Sequence, residues 1–146
     1  MRQSIEYTAF TIEGFCWTNI LNPQARLLKV KMKKKSVNDV GSMSLISIVT
    51  SLPNYYFVIL LNSELLFNYY REYINCTVNI QINDIRQLPI IVPTKEQLDK
   101  CKLLYETAIN LKKKVFNDHC KESEIAPYLL KIEKELNEIV AEIYRF

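Results

Sequence analysis

Residues 60–93 read LLNSELLFNYYREYINCTVNIQINDIRQLPIIVP, and the change of pattern within that stretch decides the fold class. Asn62-Ser63 separates two apolar runs, 53–61 and 63–74. Both have the length of short helices, and either Asn62 or Ser63 can cap the second by accepting a backbone N–H. The first run is also compatible with a buried strand, because short apolar runs carry no decisive period. Val78, Ile80 and Ile82 then alternate with Asn79, Gln81 and Asn83, the period of a half-buried strand. Asp84 is placed to cap a turn at 85–87. Ile90-Ile91-Val92 lies between Pro89 and Pro93, a short edge strand or extended connector. Helix and strand patterns interleave here, so the expected class is mixed α/β.

Upstream, residues 26–35 alternate at their centre. Leu28, Val30 and Met32 point one way, Lys29, Lys31 and Lys33 the other, which predicts a half-buried strand with a lysine face. Lys34-Lys35-Ser36 and Asp39-Val40-Gly41-Ser42 read as turns, and 44–49 as a second strand. Downstream the period becomes helical. Thr94-Lys95-Glu96-Gln97 is a capping box, and Leu98, Cys101, Tyr105, Ala108, Leu111 and Val115 follow at spacings of three and four, so a helix runs to about Phe116. Residues 117–121 turn the chain. Ile125, Leu129, Ile132, Leu136, Ile139 and Ile143 then step by four and three, a coiled-coil-like a/d seam with charged residues between its members. Pro127 near its start leaves the helix boundary open by a turn. The expectation is a small sheet with short helices over 1–93 and an antiparallel helical hairpin over 94–146. The hairpin either packs on itself or offers one face for docking or self-association.

Composition sets the outer bounds. The 146 residues, 49% hydrophobic and 24% charged, suit a globular chain that needs no metal or disulfide to fold. Cys16, Cys76, Cys101 and Cys120 form no CxxC pair, and the sole histidine, His119, adjoins Cys120, so the cysteines read as thiols rather than zinc ligands. Reduced thiols fit a cytoplasmic protein. The longest apolar run, 55–61, is too short to cross a bilayer, and the N-terminal residues hold no apolar signal core. Charge is uneven. Residues 1–40 carry seven basic side chains against three acidic, a net of +4, whereas 96–146 carry nine against ten, a net of −1. A local basic patch of that kind suits a polyanionic partner.

Four pieces in order, GFCWTNI at 14–20, VNDVGSMS at 37–44, LLNSELL at 60–66 and NIQINDIRQLPIIVP at 79–93, resemble the C-terminal target-recognition region of bacterial adenine-N6 DNA methyltransferases. These are the type IIG restriction–modification enzymes and phage-exclusion methyltransferases, with type I specificity subunits as distant relatives. The resemblance covers about 15–97. It implies a partial target-recognition domain over 1–93, double-stranded DNA as partner, and a methyltransferase catalytic domain or subunit that is separate from this chain. It also implies what a catalytic part would need: an Asn/Asp-Pro-Pro-Tyr/Phe tetrapeptide to hold the flipped adenine, and a glycine-containing loop for S-adenosylmethionine. The chain has no Pro-Pro, and neither Gly14 nor Gly41 lies in such a loop. It also lacks the Glu-x-Lys of common magnesium nucleases. The expectation is a recognition fragment of a larger protein in the bacterial cytoplasm, with no cofactor of its own and no catalysis by itself.

Candidate DNA contacts follow from chemistry. Lys29, Lys31 and Lys33, about 6.6 Å apart along a strand face, match phosphate spacing, and Lys34 and Lys35 extend the row. A solvated lysine edge that resists aggregation is the competing explanation. Arg26, Trp17, Asn19, Asn22 and Gln24 surround the adjoining connection, and such side chains can read base edges. Asn79, Gln81 and Asn83 can meet bases or bond locally; the Asp84 and Leu88-Pro89 that follow favour a structural role there. The alternative function is a scaffold whose hairpin mediates assembly without touching DNA.

Overall fold

The structure, a computed structural model, describes residues 13–34, 42–45, 52–117 and 119–145. Lys35, the turn at 39–41 and the part of the expected strand beyond Leu45 lie outside these residues. The fold is mixed α/β, and the chain divides into two compact units, Met1–Ile90 and Ile91–Phe146.

The first unit is built on a three-stranded antiparallel sheet of order β2-β1-β3, with β1 Gly14–Thr18, β2 Lys31–Lys33 and β3 Ser42–Leu45. The central strand β1 was not foreseen. Gly14, Phe15, Cys16 and Trp17 are all buried, so the strand is covered on both faces and carries no alternation to detect. Phe15 stacks on Phe57 at 5.4 Å between ring centroids, and Trp17 is 1% exposed. Trp17 therefore belongs to the core rather than to the exposed connection; its indole N–H is buried and has no hydrogen-bond partner among the described residues.

The expected strand at 26–35 shrinks to Lys31–Lys33. Lys29 sits at φ 55°, in the left-handed region, which breaks the strand two residues before β2 while Leu28 and Val30 on either side stay buried. The three lysines also differ in exposure. Lys29 and Lys31 are exposed, but Lys33 is 8% exposed. Lys33 lies opposite Gly14 in the β1–β2 register, and the missing side chain there leaves room for its aliphatic stem along the sheet.

Two short helices pack next in the chain. α1, Asn54–Leu61, is apolar nearly all round and contacts β1 and β2, with Tyr56 and Leu60 fully buried. α2, Glu64–Tyr69, starts at Ser63, whose hydroxyl accepts from the Leu66 N–H at 3.3 Å and donates to the Leu60 carbonyl at 2.6 Å. Asn62 does different work: its side-chain amide pairs with both backbone groups of Val30, accepting from N–H at 2.8 Å and donating to C=O at 2.7 Å. A side chain thus acts as the strand partner that Val30 lacks. α2 then widens into a π-helical turn, Tyr70–Ile74, closed by the Asn75 N–H to the Tyr70 carbonyl at 2.9 Å.

No strand forms at 78–82. One bridge, Ile20↔Asn79, is what survives of it. The residues expected to finish the strand instead form a short helix, α3, Ile82–Ile85. The cause is local. Asp84, expected to cap the turn after it, reaches back and accepts from the Gln81 N–H at 3.0 Å, so a side-chain bond outcompetes a ladder bond. Residues 90–92 are connector, with Val92 74% exposed.

The second unit is a helical hairpin. Thr94 accepts from the Gln97 N–H at 3.2 Å and Gln97 accepts from the Thr94 N–H at 2.9 Å, the reciprocal cap that opens α4, Lys95–Phe116. α5, Glu122–Ile143, packs against it across a short turn. Its buried side chains are Ile125, Ile132, Val140 and Ile143, three of them from the expected seam. Pro127 sits inside the helix, where it removes one N–H from the ladder without ending it. Lys112 and Glu122 form an ion pair across the turn, and that lysine holds the Glu122 carboxyl below its usual range. Among the described residues, no helix is long and apolar enough to cross a membrane.

Candidate functional site

The polar residues of the first unit meet where β1 ends. Beyond Thr18 the chain runs antiparallel to 78–80, joined by the Leu21 N–H to the Val78 carbonyl at 2.7 Å and the Ile80 N–H to the Asn19 carbonyl at 2.9 Å. This pairing brings Asn19 beside Asn79, although sixty positions of sequence separate them. Buried Ile80 anchors the second segment of the pair, and its neighbours Asn79 and Gln81 are both exposed.

A hydrogen-bonded hub fixes the turn into α3. The Asp84 carboxylate accepts from Asn75 Nδ2 at 2.7 Å, from the Gln81 N–H at 3.0 Å and from the Tyr70 hydroxyl at 3.4 Å. Asn75 also donates to the Asn79 carbonyl at 2.9 Å and accepts from Thr77 through its N–H and hydroxyl. Arg71 closes the loop on the Thr77 carbonyl at 2.7 Å. Burial, and then the negative Asp84 beside it, push the Tyr70 phenol up to about 12. The acidic group of this region is thereby turned inward and satisfied.

Outward from the hub lies an open cleft of about 420 Å³. Its walls are Asn19, Asn79, Gln81, Asn83 and Arg86, set around Ile80 and Ile82. The walls hold one guanidinium and no carboxylate. Among the described residues, no hydrogen bond or ion pair engages the side chains of Asn19, Asn79, Asn83 or Arg86. Such a surface offers several donor–acceptor amides and one fixed cation to a planar polar ligand or an anion.

The remaining candidates lie outside the lining of this cleft. The β1–β2 register sets Lys31 opposite Cys16, three residues or roughly 10 Å along β1 from Asn19. Asn22 is exposed, but its side chain accepts from the Gln24 N–H at 2.9 Å and so serves a turn. Gln24 and Arg26 are exposed, as are Lys29, Lys31 and Lys34. Arg86, which lines the same cleft, was not among the candidates read from sequence, where 79, 81 and 83 were given a structural role. Alternation put the three on one strand face, whereas a bridge, a cap and a helical turn gather them around a concavity. The four His, Cys, Asp and Glu types form no group of three that could hold a metal ion among the described residues. Comparisons with protein-family models, with curated proteins and with solved structures each return no match.

Proposed function

We propose that this chain is the DNA target-recognition part of an adenine-N6 methyltransferase from a restriction–modification or phage-defence system, with methyl transfer carried by a separate catalytic domain or subunit. The observation that carries the reading is a charged edge leading to a polar corner. Lys31 stands exposed opposite Cys16 of β1, with Lys29 exposed two residues before it, β1 leads to Asn19, and Arg26 and Gln24 stand exposed on the intervening connection. Cations that neutralise phosphates supply affinity, and polar groups nearby supply selectivity. Lys33, tucked against the sheet, leaves the row of phosphate contacts proposed from sequence.

Salt-dependent anisotropy with labelled duplex DNA tests this. Lys29→Ala and Lys31→Ala should each weaken binding about equally for all sequences and lower the slope of log affinity against log salt by about 1. Lys33→Ala should leave the slope unchanged. An unaltered affinity and slope in the Lys29→Ala/Lys31→Ala double variant would overturn the proposal.

A second reading rests on the hairpin, where Leu103, Phe116 and Leu130 are 67%, 88% and 66% exposed. Apolar side chains so placed suit an assembly module. Concentration-dependent sedimentation, together with no DNA binding, would favour it.

A further inference from the structure

We infer that the cleft between Asn19 and Arg86 is a purine-reading site, with Arg86 the determinant for a guanine and the Asn19 and Asn79 carboxamides the readers of an adjoining base edge. This rests on the DNA-recognition reading and names the surface and residues that would give it sequence selectivity.

Three observations carry it. The first is chemical match. A phosphate only accepts hydrogen bonds, so a phosphate site gathers donors and cations. This cleft has one cation and several carboxamides, each with a donor and an acceptor side. The major-groove edge of adenine, an acceptor N7 beside a donor N6, uses both sides of a carboxamide, and the O6 and N7 of guanine take the two parallel donors of a guanidinium. The second is availability. The Asn19, Asn79 and Asn83 amides and the Arg86 guanidinium have no partner among the described residues, and the nearby Asp84 carboxylate bonds to Asn75, Gln81 and Tyr70 instead of to Arg86. The third is rigidity of the base. The Asn19 carbonyl is held by Ile80, the Asn79 carbonyl by Asn75, and the Asn83 carbonyl by Gln87 Nε2 at 3.1 Å. Side chains rooted on a fixed backbone lose less freedom on binding, which favours discrimination between similar edges. A volume of about 420 Å³ is within the range of sites that hold a small ligand or a protruding group.

The experiment is selection of preferred sites from a randomised duplex pool by the chain, followed by affinity and salt titrations on matched and single-substituted duplexes. Arg86→Gln should erase the preference at one G·C position, a loss of about 10- to 100-fold in discrimination, while the salt slope stays constant. Asn79→Ala should relax a different, neighbouring position. Both residues are exposed, so each variant should melt with the wild type, and melting verifies that the fold is intact. A salt slope lowered by about 1 with equal weakening on every sequence would make Arg86 a phosphate contact and overturn the inference. Selectivity unchanged in both variants would overturn it too, while leaving DNA recognition standing. A wild-type chain that binds no duplex would remove the DNA reading itself, and the cleft assignment with it.

Discussion

Replacing Asn62 by alanine should destabilise the first unit by about 2–4 kcal/mol. The magnitude follows from what the amide holds. Two hydrogen bonds, at 2.8 and 2.7 Å, join it to the N–H and C=O of Val30, thirty-two residues away in sequence. Each bond is worth about 0.5–1.5 kcal/mol net, and a polar group left unpaired in a buried place costs about 1–3 kcal/mol. Val30 is 4% exposed, so water cannot replace both bonds freely, although Asn62 itself is only half-buried, which lowers the upper bound. The same bonds secure the segment beside Lys29, whose φ of 55° costs a residue with a Cβ about 1–2 kcal/mol. For a domain of this size the loss corresponds to a fall in Tm on the order of 10–20 °C. Thermal melting by circular dichroism measures it, and hydrogen exchange at the Val30 amide should speed up in parallel. Asn22→Ala is the control. It too removes an amide that accepts a backbone N–H, at 2.9 Å from Gln24, but on an exposed turn where water substitutes, so it should cost less than about 1 kcal/mol. A Tm for Asn62→Ala within about 3 °C of wild type, or equal to that of Asn22→Ala, would refute the claim that this amide serves as a strand partner.

Val140 is fully buried in the hairpin, so Val140→Asp should cost more than about 3 kcal/mol, whereas Leu130→Asp, at a position 66% exposed, should change stability by less than about 0.5 kcal/mol; unchanged melting with loss of self-association in Val140→Asp would make the helix face that holds Val140 intermolecular. Stability should fall at alkaline pH. The folded state raises the Tyr70 phenol from 10.0 to about 12, so it favours the neutral form, and that contribution is complete below about pH 10 and lost as pH climbs toward 12. Tyr70→Phe should flatten this decline in urea titrations, and an identical pH profile in the variant would count against it. Calorimetric titration with millimolar S-adenosylmethionine should give no saturable heat, because the methyltransferase motifs are absent from the sequence; a clear isotherm would sink the assignment of catalysis to a separate part.

Legibility tracked how local the governing interaction was. The two hairpin helices were legible, since capping by Thr94 and Gln97 and a helical period are properties of neighbours in sequence, although the buried face takes Ile125, Ile132 and Ile143 from the expected seam and adds Val140 from outside it. The break at Asn62-Ser63 was legible for the same reason, although the side-chain bond from Asn62 to Val30 was not. Errors arose where period-2 alternation was taken as sufficient for a strand. At 78–82 it met a competing local bond, from Asp84 to the Gln81 N–H, and lost. At 26–35 the left-handed backbone at Lys29 cut the strand short, and Lys33, opposite Gly14, is buried while Lys29 and Lys31 are exposed.

Composition, capping and periodicity by themselves determined a mixed α/β chain with a charged-and-seamed helical hairpin, because those features depend on energies within a few residues of each other. Which polar groups share a surface was decided by tertiary structure alone. Asn19 and Asn79 meet because two distant segments pair through Leu21 and Ile80, and the side chains of 79, 83 and 86 face one cleft because the chain turns from a bridge into a helix between them. No periodicity encodes that meeting. It depends on long-range backbone pairing and on a half-buried carboxylate hub, and these exist only once the chain has closed on itself.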